Sequence, residues 1–171
     1  MRAEKLIKLM VFFSWLAIIG LVVKTGTLLI SYFQSINTPE AASNMYEGKN
    51  LLAYRNFSFL HYSSIVAYKV ILFSIEIGIA YLVLSLLKRL NLKQPFQIEV
   101  QKYMQQISKS ILFLWIIAMI HNTHMQFIGK KHGFELDLFS SDFVFLSVVI
   151  FIFAQIVKRG IAIQNENDLT I

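Results

Sequence analysis

The chain is 171 residues long, 56% hydrophobic and only 15% charged, whereas soluble globular chains run at roughly 45–50% apolar and about 25% charged. That balance belongs to a polytopic membrane protein, and the +6 net charge gathers on no polar domain of the kind that reads nucleic acid, so no direct nucleic-acid binding is expected. With no cysteine present, disulfides, thiolate nucleophiles, iron–sulfur clusters and Cys-ligated zinc are excluded.

Arg2, Lys5 and Lys8, followed by the apolar run Leu9 to Val23, imitate a secretory signal. The run is too long for one and resumes after Lys24 as Thr25 to Phe33 without an A-x-A-like cleavage site, which predicts a retained first span over about residues 6–33. Tyr32 and Phe33 make an aromatic girdle at its far interface, and Lys24 in its outer part can snorkel or pair. Thr38-Pro39-Glu40 then offer an N-cap, a proline at the first helical position and an acid at the positive helix end, with Gly48 as a stop, so a short surface helix is expected from Pro39 to Glu47. The stretch Leu51 to Tyr62 mixes aromatics with Arg55 and Asn56, and its alternation Phe57-Ser58-Phe59 fits a strand or an interfacial segment.

From Ser63 to Leu87 the sequence is nearly unbroken apolar, interrupted by two charges, Lys69 and Glu76. As a helix this second span, residues 63–87, is roughly 37 Å long, enough to cross a hydrocarbon core of about 30 Å with some tilt. Ionised groups at that depth cost at least ~2.5–3.5 kcal/mol each, so both side chains must face protein or water. Two helical turns put them on one face but about 10 Å apart, too far for a simple ion pair. Lys24 and Lys69 fall at similar depth with Glu76 deeper, so a polar track toward Glu76 could serve as a proton relay, ion site or sensing element; alternatively Glu76 is protonated or satisfied by a neighbouring span and only fixes helix register.

After Lys88-Arg89, the segment 95–109 opens at Pro95 and places Phe96, Val100, Tyr103, Met104 and Ile107 on one face at helical spacing, with Glu99, Lys102, Gln106 and Lys109 opposite. This amphipathic helix is expected to run into the third span, about 104–128. His121 and His124, at i and i+3 near its outer end, could share a metal or sense pH with His132, His61, Glu135 and Asp137 nearby. Two histidines at this spacing are a weak signal and interfacial histidines are commonly plain amphipathic anchors, so neither metal nor cofactor is assigned, His121, His124 and His132 standing as weak candidates only. A Gly129-to-Gly133 turn between Met125–Ile128 and the period-two stretch Phe134-Glu135-Leu136-Asp137-Leu138 predicts a small β-hairpin, in competition with an outward extension of span three. Ser140-Ser141-Asp142 caps the fourth span, about 143–163, which only Ser147 and Gln155 interrupt, and a polar tail, 164–171, closes the chain.

Ten basic residues (Arg2, Lys5, Lys8, Lys88, Arg89, Lys93, Lys102, Lys109, Lys158 and Arg159) collect at one set of span ends, against Lys49, Arg55, Lys130 and Lys131 at the other. By the positive-inside rule both termini and the 88–109 connection are cytoplasmic. The expected fold is an all-α four-transmembrane-helix bundle forming a single membrane domain over residues 1–171. There is no G-x-S-x-G elbow, H-E-x-x-H, Walker loop or helically spaced carboxylate pair within the bilayer, so no catalytic residue and no enzyme activity is expected.

The tail, with Lys158, Arg159, Gly160, Gln164, Glu166, Asp168, Leu169, Thr170 and Ile171, together with Gln94-Pro95-Phe96 opening the amphipathic helix, resembles a bacterial family of four-span membrane proteins of unknown function, family 2975, whose members end in Asp-Leu-Thr-Ile. His121, Asn122 and His124 depart from the apolar stretch usual there. The resemblance implies a bacterial cytoplasmic (inner) membrane protein and no catalytic residues. Its genes often neighbour one for a small helix-turn-helix regulator, which implies a membrane sensor or anchor contacting that partner through Phe96, Val100, Gln164, Glu166, Asp168, Leu169, Thr170 and Ile171. The rival expectation is a small transporter, channel subunit or immunity-type protein using the intramembrane charges Lys24, Lys69 and Glu76, with room for a homo-oligomer.

Overall fold

The computed structural model describes residues 2–91, 94, 96–140 and 142–168. Five α-helices occur among them: α1 Arg2–Asn37, α2 Leu52–Phe57, α3 Phe59–Arg89, α4 Ile98–His132 and α5 Val144–Asp168. Four of these (α1, α3, α4 and α5) are long and apolar enough to cross a membrane, as a lipid-exposed backbone requires, since only helices and closed barrels satisfy every N–H and C=O without water. Six hydroxyls inside them are absorbed by their own helix: those of Ser14, Thr25, Thr27, Ser64, Ser74 and Thr123 donate to carbonyls one turn back at 2.7–2.9 Å.

The helices outrun the apolar runs that announce them, and the connections differ from expectation in three places. No strand forms among the described residues, so the hairpin gives way to the extended α4. The reason is local: Gly133, at φ +69°, ends α4, and the Phe134 N–H donates to the Gly129 carbonyl at 2.9 Å, the Schellman closure of a helix rather than a turn between strands. The single surface helix over Pro39–Glu47 is instead two short 3-10 turns, Pro39–Ser43 and Tyr46–Gly48, because the Thr38 side chain makes no cap hydrogen bond and Gly48 turns the chain at φ +69°. The Phe57-Ser58-Phe59 alternation is a one-residue extended joint, Ser58 at φ −162° and ψ 121°, between α2 and α3. The proposed cap at Ser141 and the helix opening at Pro95 lie outside the described residues.

The chain divides into two compact units. One, here the pocketed unit, comprises residues 19–77 and 114–141. Its core gathers Leu28, Met45, Leu51, Tyr54, Tyr62, Ile65, Phe73, Met125 and Ile128, so the connecting segments 38–58 and 134–139 are folded onto the helices and packed. Hydroxyls and aromatic rings stitch it: Tyr62 and Ser35 share a hydrogen bond at 2.7 Å, Tyr32 and Ser63 one at 3.0 Å, and Arg55 donates to the Ser35 carbonyl, satisfying a C=O near the end of α1.

The other, the basic unit, comprises residues 1–18, 78–113 and 142–171. Val100, Ile107 and Ile111 are buried there while Glu99, Lys102, Gln106 and Lys109 are exposed, so from Ile98 to Lys109 the amphipathic pattern is realised within one continuous helix, α4. Ser108 and Ser147 join α4 to α5 by reciprocal bonds, Ser147 donating to the Ser108 carbonyl at 2.8 Å and Ser108 to the Ser147 carbonyl at 3.0 Å. Such small hydroxyl residues let backbones approach closely in an apolar medium.

Candidate functional site

In the pocketed unit a cavity of about 250 Å³ opens among α1, the 3-10 turns, α3 and segment 137–140. Its chemistry comes from three lysines and one acid. Lys69, only 6% exposed on α3, forms an ion pair with one oxygen of the Asp137 carboxylate, and Lys49 reaches the other oxygen at 3.2 Å. Burial by itself raises the Asp137 pKa, but the ammonium groups of Lys69 and Lys49 outweigh it and hold the carboxyl below its ordinary range. Lys24, on α1, lines the same cavity with its ammonium 4.5 Å from the Phe73 ring centroid and 5.3 Å from that of Tyr46. Two lysines thus face one acid, a formal excess of one positive charge in the trio Lys49, Asp137 and Lys69.

The segment carrying Asp137 has no regular secondary structure and is held by side chains. Asn122 clasps Phe139 in both directions, donating to its carbonyl at 2.8 Å and accepting from its N–H at 2.9 Å. The Tyr54 hydroxyl donates to the Glu135 carbonyl at 3.0 Å, and burial, with Asp137 and Glu135 close by, raises the pKa of that phenol. Gly129 admits the segment sideways: a Cβ there would lie 2.3 Å from Leu136 and 2.6 Å from the Tyr54 hydroxyl.

Three of the four histidines gather along one side of this unit. His61 Nδ1 and His124 Nε2 are 3.1 Å apart, while His121 is fully buried, its Nδ1 3.3 Å from the Asn122 amide oxygen. His132 instead sits against Phe57, with ring centroids 4.4 Å apart. Among the described residues no three His, Asp or Glu side chains converge as a metal-binding group. Glu76 is half-buried and within electrostatic reach of Lys24. The partner of Lys69, Asp137, escaped sequence reasoning because 68 residues separate them, although a buried lysine in a span demands an acid from somewhere.

In the basic unit the two motifs that carried the family resemblance meet. The Phe96 ring lies on Gly160 so closely that a Cβ at 160 would stand 2.4 Å from Phe96 Cδ1. Phe96 keeps 43% of its surface exposed, and Val100 is buried. Gln164 and Glu166 are exposed on the last turns of α5, which ends at Asp168; Leu169, Thr170 and Ile171 lie outside the described residues.

Four long apolar helices and a lysine buried against its own acid define a multi-pass integral membrane protein. The family model described as Protein of unknown function (DUF2975) matches residues 37–171, and the chain belongs to that family. No curated protein and no solved structure matches it.

Proposed function

We propose that the protein is a non-enzymatic sensor of the bacterial inner membrane, with both termini cytoplasmic, which receives a small anionic solute in the cavity of the pocketed unit and holds or releases a small helix-turn-helix regulator. One observation carries the reading: two lysines share a single carboxylate beside a cavity large enough for a small molecule. An anion that competes for Lys49 and Lys69 frees Asp137, and with it a segment that owes its place to side-chain contacts. A ligand thereby shifts a conformational equilibrium in proportion to its differential affinity for the two states. Orientation is supported by the asymmetry of basic residues, and the regulator by the family resemblance; its contact surface is Phe96 with the tail from Gln164.

Capture of partners from solubilised membranes tests the reading. The full chain should retain a small DNA-binding protein, deletion of residues 165–171 should lose it, and Asp137→Asn should change its recovery. Equal recovery from all three chains contradicts the proposal.

A second reading rests on Glu76, a half-buried acid on the same span as the buried Lys69: a small ion-coupled transporter or channel subunit using these intramembrane charges, active as an oligomer. Glu76→Gln separates the two, abolishing ion coupling while leaving capture through the tail intact.

A further inference from the structure

We infer that the basic unit carries a binding site for one anionic phospholipid, headgroup and chain together, between the start of α1 and the end of α3. Two adjoining hollows make the site. The first, about 590 Å³, has Lys8, Lys88 and Arg89 at its rim against one acid, Glu4, over apolar walls that include Ile7 and Leu87. The second, about 390 Å³, is almost wholly apolar and lined by Met10, Phe13 and Ala17 of α1 and by Ala80, Val83 and Leu87 of α3.

Leu87 belongs to both hollows, so a basic rim passes directly into an apolar crevice. The Lys88 ammonium lies 5.4 Å from the Trp15 ring centroid, the amphipathic side chain that favours the level of lipid headgroups. Arg89 is held by Glu99 at 3.2 Å, which leaves Lys8 and Lys88 to meet a phosphate.

Charge complementarity and shape select the occupant. Basic pockets between membrane helices are the sites at which acidic headgroups bind. A free anion would use the rim and leave the crevice to water, which apolar walls disfavour. A second copy of the chain would bring the same excess of cations to the rim. Met10 and Phe13 keep 44% and 58% of their surface exposed, so the crevice-forming face of α1 is open to an acyl chain. The site lies wholly in the basic unit and is independent of the sensor reading.

The test is native mass spectrometry of the full chain in mild detergent, titrated with phosphatidylglycerol or phosphatidylcholine. Wild type should prefer phosphatidylglycerol, and Lys8→Gln/Lys88→Gln should reduce that preference by about fivefold per lysine, roughly 25-fold together. Lys130→Gln/Lys131→Gln, with the same loss of charge elsewhere, should leave the preference intact. Val83→Trp, which fills the crevice without touching the rim, should weaken binding of both lipids. Equal affinity for the two lipids, an unchanged preference in Lys8→Gln/Lys88→Gln, or full displacement by excess inorganic phosphate would each overturn the proposal. So would quantitative disulfide dimerisation of Phe13→Cys, which would give the crevice to a second copy.

Discussion

Replacing Asp137 by Asn keeps the side chain's size and removes only its charge, which makes it the sharpest probe of the cavity. Lys69 would then stay 6% exposed with no counter-ion, and stripping one partner from a buried pair costs about 3–5 kcal/mol because the remaining charge is uncompensated. The Lys49 contribution is small by comparison, since that side chain is 44% exposed and exposed pairs are worth about 0–1 kcal/mol. For a chain of this size 1 kcal/mol moves the melting point by about 2–4 °C, so Asp137→Asn should lower Tm by roughly 6–20 °C. Melting followed by the fluorescence of Trp15 and Trp115 in detergent reads it directly. Lys69→Met/Asp137→Leu, which removes both charges, should return to wild-type stability or above. Asp137→Asn no more harmful than Lys49→Gln would refute the claim that Lys69 depends on this acid.

Other outcomes follow from the same contacts. Because the Asp137 pKa is depressed in the folded state, its stabilisation is fully present above the ordinary carboxylate value of about 4 and is lost only as pH falls through the lower folded value; between pH 7 and 5 the contribution of this pair to the melting point should therefore stay constant, and a loss there specific to the pair, absent from Lys69→Met/Asp137→Leu, would contradict it. Gly160→Ala should cost about 1–3 kcal/mol by driving a methyl into the Phe96 ring, with Phe96→Ala/Gly160→Ala regaining most of it in the same melting assay. Ser108→Ala/Ser147→Ala should cost only about 1 kcal/mol, as hydroxyl bonds between helices in lipid average roughly 0.6 kcal/mol each, whereas Ser147→Leu should cost more by forcing α4 and α5 apart.

The spans are legible in the sequence because twenty or so apolar residues leave a backbone in lipid no alternative to helix. Their ends are not, since hydropathy stops at Phe33 and Ile128 while the backbone runs on to Asn37 and His132 until a residue such as Gly133 turns it. The alternation from Phe134 to Leu138 reflects a real two-sidedness, with Leu136 pressed toward Gly129 and Asp137 drawn to Lys69, but it marks a single extended segment packed on helices and carries no information about a partner strand. Lys69 and Glu76 stood out as charges in an apolar run, yet the pairing of Lys69 is tertiary and invisible to spacing. The same holds for Phe96 on Gly160 and for Ser108 with Ser147: each residue interrupts a pattern, and only the fold says what it touches.

Since the chain has no cysteine, Leu138→Cys gives a unique probe at a cavity-lining position that is 41% exposed. Its reaction with a membrane-impermeant maleimide in intact cells measures whether the cavity faces away from the cytoplasm. The account predicts modification at the same rate in intact and permeabilised cells, and protection that appears only until the membrane is opened would contradict it.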